Sequence, residues 1–322
     1  MILSRAPLRV SFLGGGSDLP EYYTQNDNAA TLSSSIDKYM YIALNKAPKD
    51  HYKIVYDNIE IKNSVEEIEH SRIKNIFKKY NVPLGYEVSS FCEFPTKGTG
   101  LGSSSSYTVA VLNALQAAKT KYELAQEAYH IERDLCGESL GKQDQFAAAF
   151  GGFNFIQYHS DQTVEVTPVS ISADTLETLD RNFMMFYTGI NRTANDILSC
   201  QANSIATNEK KKEIQGYIAD FAVLGKKHLL KGNLKDFAYC IHHSWMIKKE
   251  ISPKISNEII DQYYADALSA GAIGGKLLGA GGGGFLLCYV EPEKQQQVRD
   301  ALPLQEFKFK FEHEGARVIF NG

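Results

Sequence analysis

The segment Lys97-Gly98-Thr99-Gly100-Leu101-Gly102-Ser103-Ser104-Ser105-Ser106 constrains this chain more than any other. It follows a β-patterned run, Tyr86–Phe91, and it opens a helical pattern over Ser104–Lys119 that carries Val109, Val111, Leu112 and Leu115. Three glycines let the backbone take conformations that a Cβ forbids, and so pass close to a ligand. The helix start leaves unpaired N–H groups and the positive end of the helix dipole. Together they form an anion site suited to nucleotide phosphates. Taken alone, the segment also reads as a turn with a serine N-cap.

Two further glycine segments shift the balance. Leu13-Gly14-Gly15-Gly16-Ser17-Asp18-Leu19-Pro20 follows the strand pattern Val10–Leu13. It is either a capped turn or a loop that offers Asp18 to hydroxyl groups, since a carboxylate accepts from both oxygens. The third, Gly274–Gly284, precedes the strand pattern Phe285–Val290. Gly279, Gly281 and Gly284 match GxGxxG, but the dinucleotide fingerprint needs a helix after it, and here a strand follows. Lys276 is followed by Leu277, so there is no Walker A motif either.

With 322 residues, 43% of them hydrophobic, the chain can bury a sizeable core in two domains. A net charge of -4 gives no electrostatic case for nucleic acid or an anionic membrane as partner. The five cysteines are scattered, odd in number and without CxxC, which points to reduced thiols. Arg5, Pro7 and Arg9 interrupt any signal-peptide core, and glycines break the apolar stretch Leu277–Val290. The expectation is a cytoplasmic protein, with a homodimer left open.

The chain reads as α+β, strand-rich first and helix-rich later. Strands are predicted at Val10–Leu13, Tyr39–Leu44, Tyr52–Tyr56 and Tyr86–Phe91, with a helix over Val65–Tyr80. Helices Ser104–Lys119, Glu123–Cys136 and Gln143–Phe150 follow, then a hairpin of Phe153–Tyr158 and Thr163–Pro168. The polar stretch Ser170–Asp180 is the candidate boundary, dividing the chain into 1–175 and 176–322. Beyond it come a strand at Phe183–Tyr187, three helices within Ala194–Ala270, and strands near Gly284–Val290, Phe307–Phe311 and Arg317–Phe320.

In this order, Arg5–Asp18, Gly98–Ser106 and Lys276–Gly284 resemble the three motifs of the galactokinase, homoserine kinase, mevalonate kinase and phosphomevalonate kinase (GHMP) superfamily. The resemblance runs from about Leu3 to Val290. It implies an N-terminal domain like ribosomal protein S5 domain 2, a ferredoxin-like C-terminal domain, and ATP with Mg²⁺ in the cleft between them. Gly15-Gly16-Ser17 departs from the Gly-Glu-His type of mevalonate kinases and galactokinases and is closer to the fucokinase and heptose kinase branch. Ser35–Tyr39, Gly141–Gln145 and Phe186–Arg192 look closer still to bacterial D-glycero-D-manno-heptose 7-phosphate kinases. Those enzymes make a 1,7-bisphosphate on the route to GDP-heptose for surface polysaccharides. Another sugar 1-kinase, such as a fucokinase or an N-acetylhexosamine kinase, stays open, as does a non-catalytic sugar sensor on the same fold.

By this resemblance Asp144 is the general base; without it, Asp144 reads as a helix-start acid. Arg9 stands where mevalonate kinases have a lysine, placed to polarise the nucleophile and the γ-phosphate. Gly98, Thr99, Gly100, Leu101, Gly102, Ser103, Ser104 and Ser105 would cradle the ATP phosphates. Ser104 and Glu132 correspond to the Mg²⁺ ligands, with Asp134 or Glu138 as fallback for Glu132. Gly15, Gly16, Ser17 and Asp18 would meet the sugar, with Gly281 and Gly282 of the third motif on the substrate side. Lys142, Arg192 and Lys276 flank the motif loops and are candidate cations for a sugar phosphate. His242-His243 and Trp245 read as helix surface and core rather than as a site.

Overall fold

The computed structural model describes residues 1–95, 98–190 and 194–322. The first half contains β1 (Ile2–Leu13), α1 (Pro20–Tyr23), β2 (Ala30–Lys46), β3 (Tyr52–Val55), β4 (Ile59–Lys62), α2 (Ser71–Lys79), β5 (Tyr86–Cys92), α3 (Ser103–Ala114), α4 (Lys121–His130), α5 (Gln143–Phe150), β6 (Phe153–Tyr158) and β7 (Val164–Pro168). The second half contains α6 (Ala173–Asn182), β8 (Phe183–Tyr187), α7 (Ala194–Thr207), α8 (Glu209–Leu230), α9 (Leu234–Lys248), α10 (Glu258–Ser269), β9 (Ala272–Leu277), β10 (Phe285–Val290), α11 (Gln295–Ala301), β11 (Gln305–Glu306), β12 (Phe311–Glu312) and β13 (Arg317–Asn321).

Two sheets result. The larger runs β13-β1-β2-β5-β3-β4, with β6 and β12 also pairing β2, and β7 pairing β6. The smaller runs β11-β8-β10-β9, with antiparallel pairing throughout. Residue 175 lies inside α6, and β12 and β13 return to the first sheet, so that sheet draws on both ends of the chain.

β1 positions the site because both of its faces are covered. From Ala6 to Leu13 every residue is buried. Leu8, Val10 and Phe12 point into a core shared with Ala222, Phe237 and Phe285 of the second half. Phe12 lies 5.5 Å from the Phe183 ring and 5.3 Å from that of Phe237. Because side chains alternate along a strand, Arg9 and Ser11 face the other way, toward α5. Helix α3 packs on β1 and β2, and α5 packs on β1, which brings both helix starts to this second face.

Several sequence expectations are corrected here. The polar stretch at 170–180, the candidate boundary, is helical from Ala173 onward. Ser172 accepts a hydrogen bond from Thr175 N at 3.1 Å and starts α6, and Leu179 anchors that helix in the core. Four helices, not three, lie between Ala194 and Ala270, because Asn208 caps α8 and separates it from α7. No continuous strand spans Phe307–Phe311. Phe307 N still bonds Met185 O in the second sheet, whereas Lys310 N bonds the Asp37 carboxylate beside the first. The segment is the crossing between sheets, and its alternation survives because Phe309 and Phe311 are buried.

Candidate active site

Arg9 and Asp144 form the centre of a cleft. Arg9 Nε donates to Asp144 Oδ1 at 2.8 Å and Nη2 to Oδ2 at 2.7 Å. Arg9 Nη1 donates to Gly100 O at 2.6 Å, and Arg9 N to Leu101 O at 2.9 Å. One residue of β1 thus ties the phosphate loop to the first turn of α5. The Arg9 side chain is 5% exposed and that of Asp144 29%, so the carboxylate is the member open to the cleft. A two-point fork of this kind fixes the plane of the carboxylate as well as its place.

The loop before α3 has the expected backbone. Gly98, Gly100 and Gly102 have φ of +67°, +79° and +72°. A Cβ on Gly100 would sit 2.3 Å from Leu278 O, so the second and third motifs touch through bare backbone. Gly98, Thr99, Gly100, Gly102, Ser103, Ser104 and Ser105 line the cleft. Leu101 does not: its side chain is buried in the core, and only its carbonyl serves the site. The loop and the start of α3 have the chemistry to hold a nucleotide's phosphates.

Ser104 and Glu132 come together, but not as a pair open to a metal. Glu132 lies on a π-helical turn, Ile131–Leu135, that continues α4, and its side chain is 0% exposed. It accepts from Ser105 Oγ at 2.8 Å, Thr108 Oγ1 at 2.6 Å, Gln145 Nε2 at 2.5 Å and Arg72 Nε at 3.3 Å. Both oxygens are engaged, so the expectation that Glu132 offers one to Mg²⁺ does not fit this arrangement. Arg72 Nη2 also donates to Ser104 Oγ, and to Glu138 Oε2 at 2.6 Å. A guanidinium therefore bridges the two expected metal ligands. Of the fallbacks, Glu138 lines the cleft, whereas Asp134 pairs with His130 on the outside.

The other end of the cleft is lined by Ser11, Gly15, Gly16, Asp18, Gln143, Gln201 and Lys248. Asp18 accepts from Gly16 N at 3.0 Å and Gln143 N at 3.1 Å, joining the first motif to the start of α5. Burial raises the Asp18 carboxyl above its usual range, the Gln143 N–H draws it partly back, and Asp144 adds to the rise. Ser17 is fully buried and donates to Gly14 O and Ala30 O, so it shapes the turn rather than facing a ligand.

The expected phosphate cations are placed differently. Lys142 Nζ donates to Gln162 O at 2.6 Å and lies 5.0 Å from the Tyr23 ring and 5.3 Å from that of Tyr129. It is 2% exposed and off the cleft. Lys276 is likewise buried on β9 and donates to Phe12 O at 3.1 Å. Burial, then the neighbouring Lys248 and Arg9, depress its ammonium well below the usual range. Arg192 lies outside the described residues. Gly281 and Gly282 pack under the third motif, where Gly282 N bonds Ile255 O, and Gly279 and Ala280 line the cleft instead. Among the described residues, Lys248, at the end of α9, is the lysine that does line it, with Nζ bonded to Gly279 O at 3.1 Å.

Sequence reasoning did not single out Arg72, Lys248 or Gln201. Nothing in their local sequence marks them, since Lys248 and Gln201 reach the cleft, and Arg72 its wall residues Ser104 and Glu138, from elements remote from the motifs.

Comparison with known proteins agrees with this architecture. The GHMP kinases N terminal domain model matches residues 63–152, and the GHMP kinases C terminal model matches 226–308. A D-glycero-alpha-D-manno-heptose 7-phosphate kinase from Campylobacter jejuni is 32% identical, covering 98% of each chain. A crystal structure of a D-glycero-D-manno-heptose 1-phosphate kinase from Bacteroides thetaiotaomicron superposes with a TM-score of 0.81 at 27% identity, covering 100% of both chains. A putative sugar kinase from Campylobacter jejuni gives 0.75 at 27% identity, covering 98% of this chain and 97% of that one. The chain belongs to the GHMP kinase family. Its phosphoryl donor is ATP, as for kinases of that family.

Proposed function

We propose that this ATP-dependent sugar kinase transfers the γ-phosphate of ATP to the anomeric hydroxyl of D-glycero-D-manno-heptose 7-phosphate. Similarity to the Campylobacter heptose 7-phosphate kinase along 98% of both chains carries the choice of sugar. The product would be the 1,7-bisphosphate, a precursor of GDP-heptose for surface glycans, made in the cytoplasm where ATP is available.

Asp144 is the base. Held in plane by Arg9, its carboxylate takes the proton of the anomeric hydroxyl as that oxygen bonds to the γ-phosphorus. The bond from phosphorus to the β,γ-bridging oxygen breaks, and ADP leaves with that electron pair. Arg9 keeps the carboxylate pointed at the acceptor. The Gly98–Ser105 loop holds the donor phosphates, and Asp18 fixes the acceptor loop. Glu132, with both oxygens engaged, does not fit as a Mg²⁺ ligand; the ion would be carried by the ATP phosphates and would neutralise part of their charge. Lys248 is the cleft cation suited to a phosphorylated acceptor.

The test is ADP release with MgATP against heptose 7-phosphate, fucose, galactose, mannose, N-acetylgalactosamine and mevalonate, followed by phosphorus NMR of the product. Turnover of heptose 7-phosphate with a new anomeric phosphate signal is expected. Turnover confined to an unphosphorylated sugar would overturn the choice of substrate and leave the kinase chemistry standing.

A further inference from the structure

Behind the cleft wall, against Ser104 and Glu138, lies a cation that the chain itself supplies. Arg72 sits in the first turn of α2, and its side chain is 16% exposed. Burial works against the guanidinium charge, but Glu132 and Glu138 outweigh burial and keep its pKa above the ordinary value. Its Nε and Nη2 reach Glu132, Glu138 and Ser104, three residues that are 60, 66 and 32 positions away in sequence. Ser104 and Glu138 both line the cleft, next to the glycine loop that faces a nucleotide's phosphates. Those bonds use Nε and Nη2, and they seat the guanidinium directly behind the Ser104 and Glu138 side chains that form the cleft wall. A divalent ion placed between Ser104 and Glu132 would lie against this fixed positive charge and would have to displace it.

We propose that Arg72 is the resident cation of the phosphate site: it stays between Ser104 and Glu132 when nucleotide binds, and its charge, fixed behind the cleft wall, offsets that of the phosphates. Nucleotide affinity then depends on the guanidinium more than on a metal held at Glu132. The two carboxylates have opposite tasks. Glu132 is saturated and anchors the guanidinium from the buried side, while Glu138 holds it from the cleft side. Swapping Arg72 for another residue leaves Ser104, Glu132 and Glu138 with surplus negative charge, and that cluster becomes a divalent-cation site.

The experiment is isothermal titration calorimetry with β,γ-imido-ATP, once in excess EDTA and once in MgCl₂, on the wild-type chain and on Arg72→Met. The wild type is expected to bind the metal-free analogue within about tenfold of its affinity in MgCl₂. Arg72→Met is expected to lose about tenfold or more in EDTA and less in MgCl₂. Mn²⁺ binding without nucleotide, read by electron paramagnetic resonance, is expected to be absent in the wild type and present in the variant. Arg72→Lys, which keeps the charge but not the fork, replaces Arg72→Met if the latter does not fold, and should fall between the two. Wild-type binding that is abolished by EDTA, or equal losses in EDTA and MgCl₂, would overturn the proposal. No sugar is present in these measurements, so their failure would leave the choice of acceptor untouched.

Discussion

Arg9 and Asp144 meet through hydrogen bonds of 2.8 and 2.7 Å to the two carboxylate oxygens, although 135 residues separate them. The pair links the strand that carries the first motif to the helix that carries the proposed base. Asp144→Asn keeps the shape and removes the charge. It is expected to lower kcat by about 10²–10⁴ while leaving the nucleotide Kd within about threefold. Asp144→Ala should also destabilise the fold by about 3 kcal/mol, because Arg9 is left buried without its counter-ion. Steady-state kinetics and thermal melts separate the two effects. An Asn variant with more than a tenth of wild-type kcat would remove Asp144 from proton transfer.

The contact between the second and third motifs depends on having no side chain at Gly100. With φ at +79° and Leu278 O 2.3 Å from where a Cβ would stand, Gly100→Ala is strained and clashes. A loss of about 2–4 kcal/mol is expected, with a Tm lower by about 5 °C or more. Nucleotide affinity should fall with it, since Gly100 O also holds Arg9. Unchanged melting and nucleotide binding would show that the two loops are not locked together.

What the sequence made legible follows from local chemistry. Phe183–Tyr187 and Phe285–Val290 were readable as strands because they are apolar without a break, and Gln143–Phe150 as a helix because glycines stop it. β9 was not, because Gly274 and Gly275 look like loop residues. Gly274 is bare because a Cβ there would lie 2.1 Å from Ala238 O of α9. The motif residues of the site were legible for the same local reason. Arg72 and Lys248 were hidden because their roles exist only after α2 and α9 have packed. Lys142 misled in the opposite direction: a lysine beside a motif suggests a phosphate contact, yet the fold turns its ammonium between Tyr23 and Tyr129.

Lys142 consequently supports a prediction of contrast with Lys248. Lys142→Met should leave the KM for the phosphorylated sugar within about twofold, since its ammonium is off the cleft and apolar packing replaces a buried charge. Lys248→Met should raise that KM by about tenfold or more and change the KM for ATP little. Equal effects of the two substitutions would remove Lys248 as the acceptor's cation.

Gln201 and Gln215 are completely buried and bonded to each other at 3.1 Å, yet Gln201 Oε1 and Gln215 Nε2 have no partner among the described residues. A buried polar atom left unpaired costs about 1–3 kcal/mol, and Gln201 lines the cleft, where a hydroxyl of the proposed sugar would complete it. Gln201→Leu is expected to raise the sugar KM about tenfold and leave the ATP KM within about twofold. If both constants rise together, Gln201 supports the fold and does not read the sugar.

His70 gives the fold an acid limit. It caps α2, accepting from Ile73 N through Nδ1 at 3.4 Å, and stacks on Tyr107 with ring centroids 4.9 Å apart. Burial, with the Arg72 charge beside it, lowers its pKa from 6.5 to about 4. The folded state therefore holds His70 neutral, and the stability this contributes is present above pH 6.5 and lost as pH falls toward 4. Complete loss corresponds to about 3 kcal/mol. His70→Asn keeps a capping oxygen and removes the titration. Its Tm should thus fall less than the wild type's between pH 6.5 and 4, when both are followed by differential scanning fluorimetry. Parallel curves would exclude His70 as the source. Because Arg72 lies two residues further along the same helix, protonating His70 puts a second positive charge beside the guanidinium and loosens the turn that holds it. The steeper wild-type loss should therefore be accompanied by weaker binding of β,γ-imido-ATP below pH 6, an effect absent from His70→Asn.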